Sequence, residues 1–104
     1  MKRVAILGGG IAGLSAAYYL REATAARGEP VEIVLLERSE RLGGCLETDR
    51  EGDALLELGP DSLVTTKPWA MDLLRALGLE GETIGLTPGG YAGVLRGWLK
   101  EERA

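Results

Sequence analysis

Apolar and polar residues alternate between two kinds of period along this chain. Val4-Ala5-Ile6-Leu7 is an unbroken apolar run, the pattern of a short parallel strand buried on both faces. A cluster of glycines ends it. From Ile11 to Ala26 the chain is rich in alanine, with Leu14, Ala17, Tyr18 and Arg21 at helical spacing, and Gly28 and Pro30 close the segment. Val31 to Leu36 is a second buried-strand run. Strand, helix and strand fit in about 34 residues, which predicts two parallel strands joined by a right-handed crossover. Further on, Cys45–Asp49 and Ala54–Leu58 flank Arg50-Glu51-Gly52-Asp53 and read as a hairpin. A second helix is predicted after Pro68, which suits a first turn, with Thr66 as its cap and Gly78 past its end. Ala70, Leu73, Leu74 and Leu77 would form its apolar face.

The glycines between the first strand and the first helix carry candidate chemistry. Gly8-Gly9-Gly10-Ile11-Ala12-Gly13 has the form G-x-G-x-x-G. Gly8 permits a tight turn out of the strand, Gly10 lets a pyrophosphate approach the backbone, and Gly13 lets helix and strand pack closely. The unpaired amides and the dipole of the first helical turn then favour an anion. Glycine-rich hexapeptides are common, but this one sits between a strand and a helix inside a βαβ unit, which is the confirming context. Glu37 follows the second strand, 24 residues past Gly13. A carboxylate there can accept both ribose hydroxyls of an adenosine and would repel a 2′-phosphate. Alternatively, it is the solvated start of the charged run Glu37-Arg38-Ser39-Glu40-Arg41. The expected fold class is α/β: a Rossmann-like βαβ dinucleotide-binding unit with a β-hairpin and a further helix, on an incomplete sheet.

Composition narrows the function. The chain has 104 residues, 45% of them apolar and 27% charged, the balance of one small soluble domain. It has no histidine and one cysteine, which excludes Ser–His and Cys–His nucleophile pairs, His-ligated metals and an intrachain disulfide. No metal is expected. A single thiol suits a reducing, cytoplasmic setting. The net charge of −4, without a basic block, argues against nucleic acid or an anionic membrane as the main partner. Val4 to Leu20 is free of charge and follows Lys2-Arg3, as in a signal peptide. Gly8, Gly9, Gly10 and Gly13 interrupt the run, however, and would weaken a helical export segment. At 17 residues the run is also at the short limit for a bilayer span, so no transmembrane segment is expected.

The region after Glu37 separates flavin from nicotinamide. Glu37 to Gly44 has the form E-x-x-x-R-x-G-G. Arg41 could return to the dinucleotide, and Gly43-Gly44 lets the backbone pass closely beside a flat or charged ligand. The plain alternative is a solvated loop with a glycine turn. With GGGIAGL, ERSERLGG, ELGPDS and KPWAMDLLRALGL in that order, residues 3–86 resemble the bacterial protoporphyrinogen and coproporphyrinogen oxidases of the FAD-dependent amine oxidase superfamily. The resemblance implies FAD as cofactor. It implies FAD contacts at Gly8, Gly9, Gly10, Ile11, Ala12 and Gly13, at Glu37, Arg38, Arg41, Gly43 and Gly44, and at the turn Gly59, Pro60, Asp61 and Ser62. Read from the residues alone, Gly59-Pro60 is simply a turn. The implied reaction is oxidation of a porphyrinogen substrate to a porphyrin in haem biosynthesis, with the flavin accepting hydride equivalents.

The same resemblance sets expectations about what lies outside this sequence. Family members are several times longer, so residues 1–104 are expected to be a partial FAD-binding domain without its substrate domain, not catalytically competent alone. No catalytic acid or base can be named. The parent enzyme could still sit peripherally at a membrane. Cys45 is read as a small apolar residue at a strand edge, and Trp69, Trp98, Tyr18 and Tyr19 as packing residues. After Thr87 the resemblance fades through Pro88–Gly93, and Val94–Gly97 reads as a strand. A sheet lacking a neighbour for its first strand would expose an apolar edge, so self-association is expected. Two other readings stand beside this one. One is a non-catalytic adenine-dinucleotide-binding module, and the other is part of an NAD-linked dehydrogenase.

Overall fold

The computed structural model describes residues 1–85. The expectations for Pro88–Gly93, for a strand at Val94–Gly97 and for Trp98 lie outside the described residues. The chain divides into two compact units, Met1–Ser62 and a second that begins at Leu63.

The first unit is built on the predicted βαβ. Strand β1 (Arg3–Leu7) pairs in parallel with β2 (Glu32–Leu36), from Arg3↔Glu32 to Leu7↔Leu36. Helix α1 (Ile11–Ala26) connects them and has the predicted limits. Its end is a Schellman motif: Gly28 takes φ +71°, its amide bonds the carbonyl of Ala25, and the Glu29 amide bonds that of Thr24. The predicted helical face lies toward the sheet, where Leu14, Ala17, Tyr18 and Arg21 line an open groove with Val31 and Ile33. Strands β3 (Thr48–Glu51) and β4 (Ala54–Glu57) form the predicted hairpin in antiparallel register. Its turn is shorter than expected. Only Gly52 and Asp53 lie outside the ladder, and the positive φ of Gly52 at the first central position is the signature of a type II′ turn. Cys45 lies ahead of β3, exposed, and not on a strand edge.

The buried character expected of both strands is not realised. Val4 and Ile6 are half-buried while Arg3, Ala5 and Leu7 are exposed, and in β2 the three central residues Ile33, Val34 and Leu35 are half-buried while Glu32 and Leu36 are exposed. Two strands and one helix cover one face of a sheet, and among the described residues β1 has a strand partner on one edge only. Among those residues Gly9 alone is fully buried. An ion pair between Arg3 and Glu32, at 2.7 Å across β1 and β2, is exposed and adds at most about 1 kcal/mol.

In the second unit α2 runs from Trp69 to Ala76. Pro68 is its N-cap, not a first-turn residue, and no side chain caps the helix. Thr66 therefore stands two residues upstream of the capping position, beyond the place from which a side chain reaches the first amides. The helix ends in a second Schellman motif, with Gly78 at φ +71° and the Leu79 amide on the Leu74 carbonyl. Leu73, Leu74 and Met71 are half-buried, whereas Ala70 and Leu77 of the expected face are exposed. Arg75 bonds Asp72 at 3.2 Å and Glu80 of a short 3-10 turn (Glu80–Glu82) at 3.0 Å. Trp69 is largely exposed, with the Lys67 ammonium 5.7 Å from its ring centre, so it is not a packing residue within the described chain.

Candidate functional site

The site lies in the first unit, where the chain leaves the carboxyl ends of β1 and β2. Ligands of open α/β sheets bind at this end. Gly8 takes φ +103°, a conformation that only glycine adopts freely, and its amide bonds the Leu36 carbonyl at 2.8 Å, so the turn starts locked to β2. Gly10 is the N-cap of α1 and supplies no side chain to it. The first intrahelical bond runs from the Leu14 amide to the Gly10 carbonyl at 3.0 Å. Among the described residues the amides of Ala12 and Gly13 have no protein acceptor. No acidic residue stands in the first turn to neutralise them.

The glycines of the turn divide into different roles. A Cβ on Gly13 would overlap the Gly8 carbonyl oxygen, so this glycine exists for the close approach of α1 to β1. A Cβ on Gly10 would meet nothing nearer than the Gly44 Cα at 3.9 Å, and its φ of −80° is ordinary. The fold itself does not require glycine there. A group arriving from outside the chain would. Gly9 is turned wholly inward: its amide donates to Glu37 Oε1 at 2.9 Å and its carbonyl accepts from the Gly43 amide at 2.8 Å.

Glu37 leaves the end of β2 and turns back toward the glycine turn. Its second oxygen, Oε2, accepts from the Ser39 amide at 2.7 Å. These contacts hold its carboxyl well below the ordinary 4.5, at about 2, with the Ser39 amide the largest cause and the Gly9 amide the next. The group is an anion throughout the neutral range. Each carboxylate oxygen keeps a further lone pair for an outside donor such as a ribose hydroxyl. Glu37 and Arg38 also line an open cleft of about 540 Å³ with Leu7, Gly8 and Leu36.

This arrangement has a pH signature. The folded group titrates lower than the unfolded one, so its contribution to stability is complete above about 4.5 and is lost as pH falls toward about 2. The urea midpoint of the wild-type chain should fall across that window. Glu37→Gln should start lower at pH 6 and lose part of the acid slope. Equal slopes in the two proteins would show that the carboxylate is not held by these amides.

The Gly43-Gly44 loop closes on the glycine turn, as a parallel bridge between Gly10 and Gly43. A Cβ on Gly44 would stand 3.2 Å from the Gly10 Cα, and both loop glycines have positive φ. Arg41 does not extend toward the amides of α1. Its guanidinium donates to the carbonyls of Leu42, Gly44 and Leu46 in its own loop. Gly59 packs against Cys45, whose carbonyl oxygen occupies the space a Cβ would need. Pro60, Asp61 and Ser62 are exposed, and among the described residues no hydrogen bond links them to the glycine turn. The structure thus gathers Gly8 through Gly13, Glu37, Arg38, Gly43 and Gly44 at one place. Gly59 sits beside the loop, and Pro60 to Ser62 are not drawn in. Sequence reasoning missed Ser39, whose amide is the main support of Glu37, and the inward role of Gly9. No spacing rule marks either. Among the described residues no group of acidic or cysteine side chains is arranged to hold a metal, and no helix is long and apolar enough to cross a membrane.

Known proteins are similar to this chain. Coproporphyrinogen III oxidase of Bacillus subtilis is 42% identical over 76% of this chain, and protoporphyrinogen oxidase of Bos taurus is 40% identical over 80% of it. A solved structure from Exiguobacterium sp. 255-15, provisionally named protoporphyrinogen oxidase, is 49% identical and superposes with a TM-score of 0.66 over 77% of the chain. The chain spans 17% of the length of each of these proteins. The family described as NAD(P)-binding Rossmann-like domain matches residues 6–77, most of the described chain and all of the glycine turn, Glu37 and the paired glycines. The protein is a dinucleotide-binding domain and belongs to the NAD(P)-binding Rossmann-like domain family.

Proposed function

We propose that this chain supplies the FAD-binding part of an oxidoreductase that converts a porphyrinogen to a porphyrin, as the names of its relatives describe for them. The observation that carries the proposal is the ionised Glu37 carboxylate, held on the Gly9 amide beside the unpaired amides of Ala12 and Gly13 at the α1 N-terminus. An adenosine in the cleft of Leu7, Gly8, Leu36 and Arg38 would place its ribose at Glu37 and its diphosphate at Gly10 to Gly13. The open space at the Gly10 Cβ position fits a phosphate, and Gly43 and Gly44 border it. Gly59 to Ser62 belong to the proposal through the resemblance, on the flavin side. When bound, FAD would accept hydride equivalents from the substrate. The residues described here would hold and orient that cofactor, and none is given a catalytic role. A cytoplasmic setting is part of the same proposal.

The test is equilibrium binding of FAD, NAD+ and ADP-ribose to the purified chain. FAD should be retained through gel filtration, with absorbance near ~450 nm. Binding of NAD+ or ADP-ribose without FAD would replace the flavoprotein reading with a nicotinamide or non-catalytic module. Glu37→Ala should weaken FAD at least tenfold, the scale of a lost charge-assisted hydrogen bond.

Self-association is proposed with it. Leu7 and Leu36, at the ends of the paired strands, are 80% and 52% exposed, and the second edge of β1 has no strand partner among the described residues. Light scattering at rising concentration should give a mass above the monomer. A constant monomer mass would remove this part of the proposal.

A further inference from the structure

Arg41 was expected to reach the dinucleotide, but its guanidinium faces the other way. One terminal nitrogen, Nη1, donates to the carbonyls of Leu42 and Leu46, each at 3.0 Å. The other, Nη2, donates to the Gly44 carbonyl and lies 3.4 Å from the Glu47 carboxylate. Three carbonyls of one short loop therefore converge on a single planar fork, a geometry that suits arginine better than lysine.

The planarity of the peptide bond converts this into a consequence for the site. In a trans peptide the carbonyl and the following amide point in opposite directions, and no cis peptide occurs among the described residues. Turning the Leu42 carbonyl onto Arg41 turns the Gly43 amide outward. That amide meets the Gly9 carbonyl at 2.8 Å. The same bond is what lays Gly43-Gly44 against Gly10. We propose that Arg41 is a positioning residue: by gathering the carbonyls of Leu42, Gly44 and Leu46 it holds the Gly43 amide on Gly9 and so shapes the wall of the dinucleotide cradle without touching the ligand. The part that concerns ligand affinity rests on the FAD-binding reading above. The part that concerns the loop does not.

Two measurements on the full chain separate these parts. The first is amide hydrogen exchange of Gly43 without ligand, followed by NMR in wild type, Arg41→Ala and Arg41→Lys. The second is FAD affinity of the same three proteins. In Arg41→Ala, Gly43 exchange should accelerate and FAD affinity should fall, each by roughly tenfold or more, the scale of one lost hydrogen bond. Arg41→Lys, which keeps donors but not the fork, should fall between. Wild-type Gly43 exchange in a folded Arg41→Ala protein overturns the proposal. If FAD affinity falls while Gly43 exchange stays put, the arginine contacts the ligand directly and the proposal is also overturned. Should Arg41→Ala lose its far-UV helical signal, Arg41→Lys decides: accelerated Gly43 exchange supports the role and unchanged exchange refutes it. A wild-type chain that fails to bind FAD refutes the proposed function and leaves the exchange result to judge the loop.

Discussion

Gly10→Val yields a folded protein that has lost its dinucleotide. The surroundings of the position decide this outcome. A Cβ at Gly10 has only the Gly44 Cα near it, at 3.9 Å, and the backbone is in an ordinary extended conformation. The native chain therefore has room for the added Cβ, and the N-cap is weakened by about 1 kcal/mol. The added carbons would stand beside the start of α1, where the proposed diphosphate would meet the helix amides. Affinity for FAD should drop by roughly 100-fold or more, about 2.7 kcal/mol. The helical signal and the urea midpoint should stay close to wild type. Gly10→Ala, with one carbon, should show a smaller loss of the same kind. A Gly10→Val protein that binds FAD like wild type would move the phosphate site away from this turn.

Gly13→Ala should do the opposite, damaging the fold first. Its Cβ would coincide with the Gly8 carbonyl oxygen and come within 3.5 Å of Ile6 Cγ2. The obstacle is backbone at the end of β1, not the tip of a flexible side chain, so relief requires α1 to move off the strand. Overpacking of this kind costs about 3 kcal/mol or more. That is a large fraction of the ~5–15 kcal/mol that holds a small domain together. The urea midpoint and thermal transition should fall sharply, and ligand binding only as a consequence. A near-neutral Gly13→Ala would mean that helix and strand can separate without loss. The pair of variants also separates two meanings of glycine in one hexapeptide: room for a ligand at Gly10, room for the protein at Gly13.

The two variants bear on how much could be read before the fold was known. The βαβ unit followed from an apolar run, a helical period and a second apolar run, and α1 has the limits Ile11–Ala26 that its bounding glycines implied. The hairpin and the second helix were legible for the same reason. Such features arise from contacts between residues close in the chain, and turn chemistry marks their ends. Thr66 shows the limit even there. A one-dimensional reading placed a cap upstream of a proline, but the proline itself took the capping position.

The candidate site was legible in its members and less so in their duties. Spacing brought out Gly8 to Gly13, Glu37 and the paired glycines. It did not reveal that Glu37 is steadied by the Ser39 amide, or that Gly9 gives both of its backbone groups to other parts of the loop. It also aimed Arg41 at a ligand when the guanidinium turns to three carbonyls of its own loop. A long, flexible side chain goes where unpaired acceptors are, and those acceptors exist only once Gly43 and Gly44 have taken their positive φ angles.

The order of residues alone determined the βαβ unit, the hairpin, the second helix and the composition of the glycine turn, because local period and backbone freedom are properties of short stretches. The folded arrangement decided which glycine has open space beside it and which serves the packing, where Arg41 points, and how little of either strand is covered. Arg41 finds its acceptors within its own loop, but the others depend on atoms that are distant in the chain and meet only when β1, β2 and the Gly43-Gly44 loop are brought together.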